Sequence, residues 1–267
     1  MIAFPHKDHY DLEDFRRIIS ILRHPGGCPW DMEQDHKSIR RNFIEETYEV
    51  CEAIDTDNTE LMREELGDVM MQVFFHASIE EDAGHFDIND VADHAVRKLI
   101  FRHPHVFEDR TVSGTGEVLR NWDELKRQEK QQRSATDTLN AVARTLPALW
   151  RAEKVQSKAA KAGFDWPDVN GPLDKVEEER QELARAAAGQ GDAEEELGDL
   201  LFAAVNAARK LGIDPETALN RATDKFITRF ARVEADALSA GERLDQLSTE
   251  ALEALWQRSK YREEATE

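Results

Sequence analysis

Eight acidic residues set as i,i+3 pairs are the part of this chain that could do chemistry: Glu179/Glu182 and Glu196/Asp199 in the second half, Glu46/Glu49 and Glu65/Asp68 in the first. Residues three apart on a helix share a face, with about 4.5 Å of rise between them, so each pair can aim two carboxylates at one spot. Ala188-Gly189-Gln190-Gly191 breaks the chain between the two pairs of the second half. A short connection of that kind reverses a helix, which would bring four carboxylates together across a hairpin running from Lys175 to Ala208. Within it Leu197, Leu200, Leu201, Ala204, Val205 and Ala208 make an apolar face that Glu196 and Asp199 are expected to flank. Carboxylates crowded beside a core repel one another and lose hydration, and cations, protons or donors rescue them. Mg2+ is the natural rescue, because it takes hard carboxylate oxygens and often completes its octahedron with substrate phosphates.

A single acidic run such as Glu177, Glu178, Glu179 and Glu182 is more often a solvated helix face. Here it recurs. Glu64-Glu65-Leu66-Gly67-Asp68-Val69 matches Glu195-Glu196-Leu197-Gly198-Asp199-Leu200, and an apolar helix follows each. Downstream, Lys98-x-x-x-Arg102 matches Lys225-x-x-x-Arg229, and Trp122-x-x-x-Lys126 matches Trp256-x-x-x-Lys260. Elements repeated in one order imply a duplicated unit, and a solvated acidic face does not require matching basic and Trp-Lys pairs behind it. Acids that hold a metal, with separated Lys and Arg to neutralise remaining charge, suit a metal-bound polyphosphate. Trp256 could lie near a base, or simply fill a core. Asn206 follows Asp199 by seven residues, about two turns along the same face, and could reach sugar or base. The equivalent residue after Asp68 is Phe75, so the second half is expected to be the principal catalytic domain, with the first active, weakly active or regulatory.

The elements that must position these residues read as helices throughout. Leu12–Arg23 places Leu12, Phe15, Ile18, Ile19 and Leu22 on one face, and His24-Pro25-Gly26-Gly27 stops it. Cys28-Pro29-Trp30-Asp31 reads as a structured loop in which Cys28 and Trp30 pack against the first half. Helices follow at 35–55, 60–81, 88–101 and 117–132, with 106–116 as loop or short strand. The second half is expected to open with one helix over 139–162, then the hairpin, then helices over 215–237 and 249–262. No stretch alternates apolar and polar with period two long enough for a sheet, so the class is all-α. The polar run Lys126 to Asp137 places a boundary between domains at 1–133 and 134–267.

A net charge of −20 argues against a nucleic-acid backbone or an anionic membrane as the main partner. The two cysteines, Cys28 and Cys51, are too few for a disulfide scaffold and fit a reducing cytosol. No apolar run approaches the roughly 18 residues of a membrane span, so a soluble, cytoplasmic protein is expected.

On these residues the chain resembles the MazG nucleoside triphosphate pyrophosphohydrolases, whose signature is E-x-x-E, a spacer, then E-x-x-D. The signature is present as Glu179-x-x-Glu182 with Glu196-x-x-Asp199 and again as Glu46-x-x-Glu49 with Glu65-x-x-Asp68. The likeness extends over nearly the whole chain and includes Cys28-Pro29-Trp30-Asp31-x-x-Gln34-x-His36. It implies tandem all-α MazG-like bundles that dimerise, and Mg2+-dependent hydrolysis of NTPs and dNTPs to monophosphate and pyrophosphate. It also implies Glu179, Glu182, Glu196 and Asp199 as metal ligands, with Lys225, Arg229 and Lys260 on the phosphates and Trp256 against the nucleotide. A narrow-specificity relative acting on dUTP or phosphoribosyl-ATP is the nearest alternative activity. A non-catalytic acidic module for a basic partner is the alternative outside enzymes, and it leaves the repeated Lys, Arg and Trp unexplained. A di-iron bundle would need Glu-x-x-His on paired helices, where this chain ends its acidic pairs in Glu or Asp.

Overall fold

A computed structural model describes residues 4–109 and 111–264, with side chains through residue 260. Helices are the regular secondary structure of the described residues, with no strand among them. Packing divides the chain into Met1–Lys126 and Arg127–Glu267.

The first unit contains α1 (Leu12–Arg23), the single-turn α2 (Pro29–Met32), α3 (Arg40–Asp55), α4 (Thr59–Asp82), α5 (Ile88–Arg102) and α6 (Pro104–Phe107). Helix α7 (Thr115–Glu129) runs through the division. Polar caps set the starts: Asp11 and Asp87 form capping boxes with Asp14 and Asp90, and Asn58 accepts from the Leu61 amide. Helix α4 packs against α1, α3 and α5, and its Phe74 and Phe75 close a core with Ile19 and Ile39. Leu12, assigned to the buried face of α1, stays 62% exposed because the core lies nearer Ile19.

The second unit contains α8 (Ala135–Asn140), α9 (Ala148–Lys161), α10 (Asn170–Ala187), α11 (Ala193–Leu211), α12 (Pro215–Ser239), a short 3-10 turn (Leu244–Gln246) and α13 (Thr249–Glu264). Helix α11 packs against α10 and α9, and α12 against α13 and α9. Val233, Ala237 and Leu255 are the buried centre of the α12/α13 contact. Helix α11 starts at the Asp192 cap and stops at Gly212, whose φ of 69° is the left-handed conformation that suits glycine. Asp214 caps α12 ahead of Pro215, which loses no helical hydrogen bond at the first position.

Further expectations are corrected, beginning with the helix expected from residue 35, which starts at Arg40. The single helix expected over 139–162 is broken into α8 and α9, because Pro147 disfavours helix at Leu146 and becomes the N-cap of α9. The segment 28–31 forms α2 with Pro29 at its first position, and Trp30 is 57% exposed rather than packed. Residues 106–107, assigned to a loop or strand, complete the turn that Pro104 opens as α6. Helix α11 buries Val205 of the expected face together with Ala203 and Ala207, which were not assigned to it, and leaves Leu197 and Leu201 about half exposed.

Candidate functional site

The last correction explains how the second-half acids come together. Glu196, Asp199, Ala203 and Ala207 recur at i, i+3, i+7 and i+11 and form one stripe of α11. Ala203 and Ala207 of that stripe are buried, and α10 packs along α11 with Glu179 and Glu182 meeting the acids. One oxygen each from Glu179, Glu196 and Asp199 lies within 4.8 Å of the others, and the same holds for Glu178, Glu179 and Glu182. Glu179, only 3% exposed, belongs to both groups and joins all four expected ligands into one cluster. Burial raises the Glu196 carboxyl above its ordinary value, and the charges of Glu182, Glu179, Glu195 and Asp199 add to the rise. Lys175, one turn before Glu179, puts its Nζ 2.5 Å from Glu179 Oε1 and 3.0 Å from Glu178 Oε1. These bonds, the one to Glu179 first, raise the lysine above its ordinary value.

The first half assembles the same cage from α3 and α4. Glu46, Glu49 and Glu65 present oxygens within 4.8 Å of one another. Asp68 lies outside that triad but still acts on it. Burial first, then the charges of Asp68 and Glu49, raises Glu46, whereas burial followed by Glu49 and Asp68 raises Glu65. Glu65 is 7% exposed, and its Oε2 is buried with no hydrogen-bond partner. Octahedral Mg2+, with oxygens at about 2.1 Å, spaces its ligands by roughly 3–4 Å, so both acidic clusters fit such an ion without moving far.

The basic and aromatic residues form a second constellation in each half. Trp256 packs 5.2 Å from Phe226, a contact between α12 and α13, and carries Lys260 Nζ 5.9 Å from its ring centroid, so the expected Trp-Lys pair forms one turn apart within α13. On α12 Lys225 is exposed and Arg229 half-buried. Trp122 likewise lies 6.0 Å from both Arg102 and Lys126, and Arg102 is buried beneath it while Lys98 is half-buried.

Asn206 is held, not loose. Its Oδ1 accepts from Arg209 Nε at 3.1 Å and Nη2 at 2.7 Å. Arg209 also pairs with Asp165, which accepts from Lys210 Nζ at 2.9 Å, and the Lys210 ammonium reaches the Trp166 carbonyl. Because a guanidinium only donates, this network commits the Asn206 oxygen and leaves its NH2 to face other groups. The arginine hydrogen bond is the main reason that Asp165 titrates well below the usual carboxylate range. In the first half Phe75 occupies the equivalent place, 6% exposed in the core, with Arg23 5.5 Å over its ring.

Sequence reasoning missed three features. Lys175 was visible as a Lys four residues before Glu179, the spacing of a helical ion pair. The Asp165–Arg209 contact joins residues far apart in sequence and left no local signal. The third is a polar network in the first half: Glu80 accepts from His36 Nε2 and His85 Nδ1, each at 2.6 Å, and His36 Nδ1 lies 2.7 Å from His76 Nδ1.

The fold and paired cages define an all-α protein of two tandem acidic bundles, three carboxylates meeting in the first and four in the second. Comparison with known proteins identifies its class. The MazG nucleotide pyrophosphohydrolase domain matches at residues 34–107 and again at 172–233, the two segments that hold the cages. The nucleoside triphosphate pyrophosphohydrolase/pyrophosphatase MazG of Thermotoga maritima is 43% identical over 249 residues, 92% of this chain and 95% of that protein. The nucleoside triphosphate pyrophosphohydrolase of Escherichia coli is 42% identical over 251 residues, with the same coverage of each. An uncharacterized protein of Bacillus subtilis, YabN, is 45% identical over 258 residues, 96% of this chain and 53% of its own length. The chain belongs to the MazG family of nucleotide pyrophosphohydrolases.

Proposed function

We propose that the protein hydrolyses nucleoside triphosphates, ribo and deoxyribo, to the monophosphate and pyrophosphate, with Mg2+ and chiefly in the second-half cage. The observation that carries this reading is the convergence of Glu179, Glu182, Glu196 and Asp199 around the buried Glu179. These four residues would hold Mg2+, which supplies Lewis acidity to the phosphate oxygens. One of the four takes a proton from the water that attacks the α-phosphorus, and pyrophosphate leaves. Lys225, Arg229 and Lys260 neutralise the charge that develops on the leaving group. Trp256 offers an aromatic face to the nucleotide, and the Asn206 NH2, oriented by Arg209, donates to an acceptor on sugar or base.

We further propose a homodimer of chains built from domains 1–133 and 134–267. Apolar side chains left open on α11 and α12, among them Leu197, Leu201, Phe226, Ile227 and Phe230 at 44–59% exposure, support that assembly. No described helix is long and apolar enough to cross a membrane. Free Cys28 and Cys51 fit a reducing cytoplasm.

The test is product identity with each NTP and dNTP, with Mg2+ or with chelator. Mg2+-dependent monophosphate plus pyrophosphate is the expected result. Diphosphate plus orthophosphate would move the attack to the γ-phosphorus and sink the proposal.

A further inference from the structure

The two cages hold the same acids but neutralise them differently. In the second half the Lys175 ammonium already sits on Glu179, the carboxylate common to both acidic groups, and on Glu178. Four residues before Glu46, where the repeat places the counterpart of Lys175, the first half has the neutral Asn42. The adjacent Arg41 turns outward: its side chain is 87% exposed and pairs with Glu45 at 2.8 Å. Among the described residues no lysine or arginine pairs with Glu46, Glu49 or Glu65, and Glu65 keeps a buried oxygen without a partner.

We infer that the cages take up divalent cations in a fixed order set by Lys175: the first-half cage binds without nucleotide, and the second-half cage binds more weakly until its lysine is displaced. The physical cause is competition. A cation entering the first cage meets the buried Glu65 beside the half-buried Glu46 and the exposed Glu49, none of them compensated by a side-chain cation, so its charge is fully used. A cation entering the second cage must first break the Lys175 bonds to Glu179 and Glu178. The lysine side chain is 43% exposed, so it can swing into solvent, and the competition sets a threshold without blocking the site. This inference rests on the proposed Mg2+ dependence and adds an order of loading to it. Under it the first half acts as a cation site that fills ahead of the half proposed to do the chemistry.

The experiment is a titration of the full-length protein, free of nucleotide, with Mn2+ as an octahedral, oxygen-seeking probe read by electron paramagnetic resonance. The wild type is expected to show a tight class of Mn2+ that Glu65→Gln removes and Glu196→Gln leaves in place. Lys175→Asn should tighten the weaker class roughly tenfold, and Asn42→Lys should weaken the tight class by a similar factor. Both substitutions change side chains at the margin of the cage, so folding survives them. A tight class lost in Glu196→Gln but kept in Glu65→Gln would overturn the order. Affinities unchanged by Lys175→Asn would overturn the role of the lysine while leaving the Mg2+ reading standing. Absence of bound Mn2+ in every protein would overturn both.

Discussion

The two halves repeat an acidic framework and differ in what surrounds it. Each puts three or more carboxylates onto one helix pair, and each follows with a Trp-Lys contact. Beyond the cage they diverge at a few positions. Where the second half has Asn206 steered by Arg209 and Asp165, the first has Phe75 packed in its core under Arg23. Where the second has Lys175 on its acids, the first has Asn42. A duplicated cage can thus keep its clustered carboxylates while one copy lacks the groups proposed to orient a substrate, since carboxylates within one hairpin need only local geometry. Orientation of Asn206 needs a contact between α11 and a loop more than forty residues away.

The comparison can be broken most forcefully on the basic residues. The double variant Lys225→Ala/Arg229→Ala should lower kcat/KM for pyrophosphate release by about a thousandfold, because charge on the leaving group is no longer neutralised. Lys98→Ala in the first half should change it by less than about threefold; an equal loss would mean that both halves turn over. Giving the second half the first half's residue, Asn206→Phe, should raise KM about tenfold with a smaller change in kcat. Arg209→Met should move KM in the same direction, because it frees the carboxamide to rotate. If Arg209→Met leaves KM untouched, the network does not position Asn206.

Stability supplies a smaller test. Ile19 is 2% exposed at the centre of the first core, and Ile19→Ala should cost about 3 kcal/mol in denaturant unfolding. That loss should leave pyrophosphate release, proposed for the second half, intact under folding conditions.

The smallest effect is a pH dependence of opposite sign at two carboxyls, read as thermal midpoints of the metal-free protein. Glu65 titrates above its ordinary value of 4.5, first because of burial, so the fold carries a charged carboxylate at a cost when the pH exceeds the raised value. That cost is relieved as pH falls through the raised value toward 4.5. Glu65→Gln should therefore melt higher than wild type at pH 8, with the gap closing toward pH 4, and excess Mg2+ should reverse the order at pH 8. Asp165 titrates below its ordinary value of 3.8, so its contribution is present above that value and lost as the pH falls beneath it. Asp165→Asn should melt lower than wild type at neutral pH, with the gap narrowing in acid.

Most of this architecture was legible in the sequence because its cause is local. Helix starts at Asp11, Asn58, Asp87, Asp192 and Asp214 follow from side chains that cap the residues just after them. Convergence of the acids follows from i,i+3 spacing and a Gly-rich break, in which Gly189 and Gly191 take φ of 89° and 126°. The first half turns at the same place without glycine, using Asp57 at φ 50° in a shorter connection. The face of α11 was misread in part, because hydrophobicity alone favoured Leu197 and Leu201, whereas the packed helix buries Ala203 and Ala207 beside the expected Val205. The Asn206 orientation was out of reach, because it depends on tertiary contacts to Asp165. The break at Pro147 was visible in the residue itself, because proline disfavours helix at the residue before it.

The central claim, that the second-half cage does the chemistry, is tested most directly by initial rates of pyrophosphate release from full-length Glu196→Gln and Glu65→Gln at saturating Mg2+. Each variant removes one acid from one cage, the half-buried Glu196 or the buried Glu65, and keeps its shape. The account predicts a loss of at least about a hundredfold in Glu196→Gln and a change of less than about tenfold in Glu65→Gln. Near-wild-type turnover in Glu196→Gln, with collapse in Glu65→Gln, would contradict it.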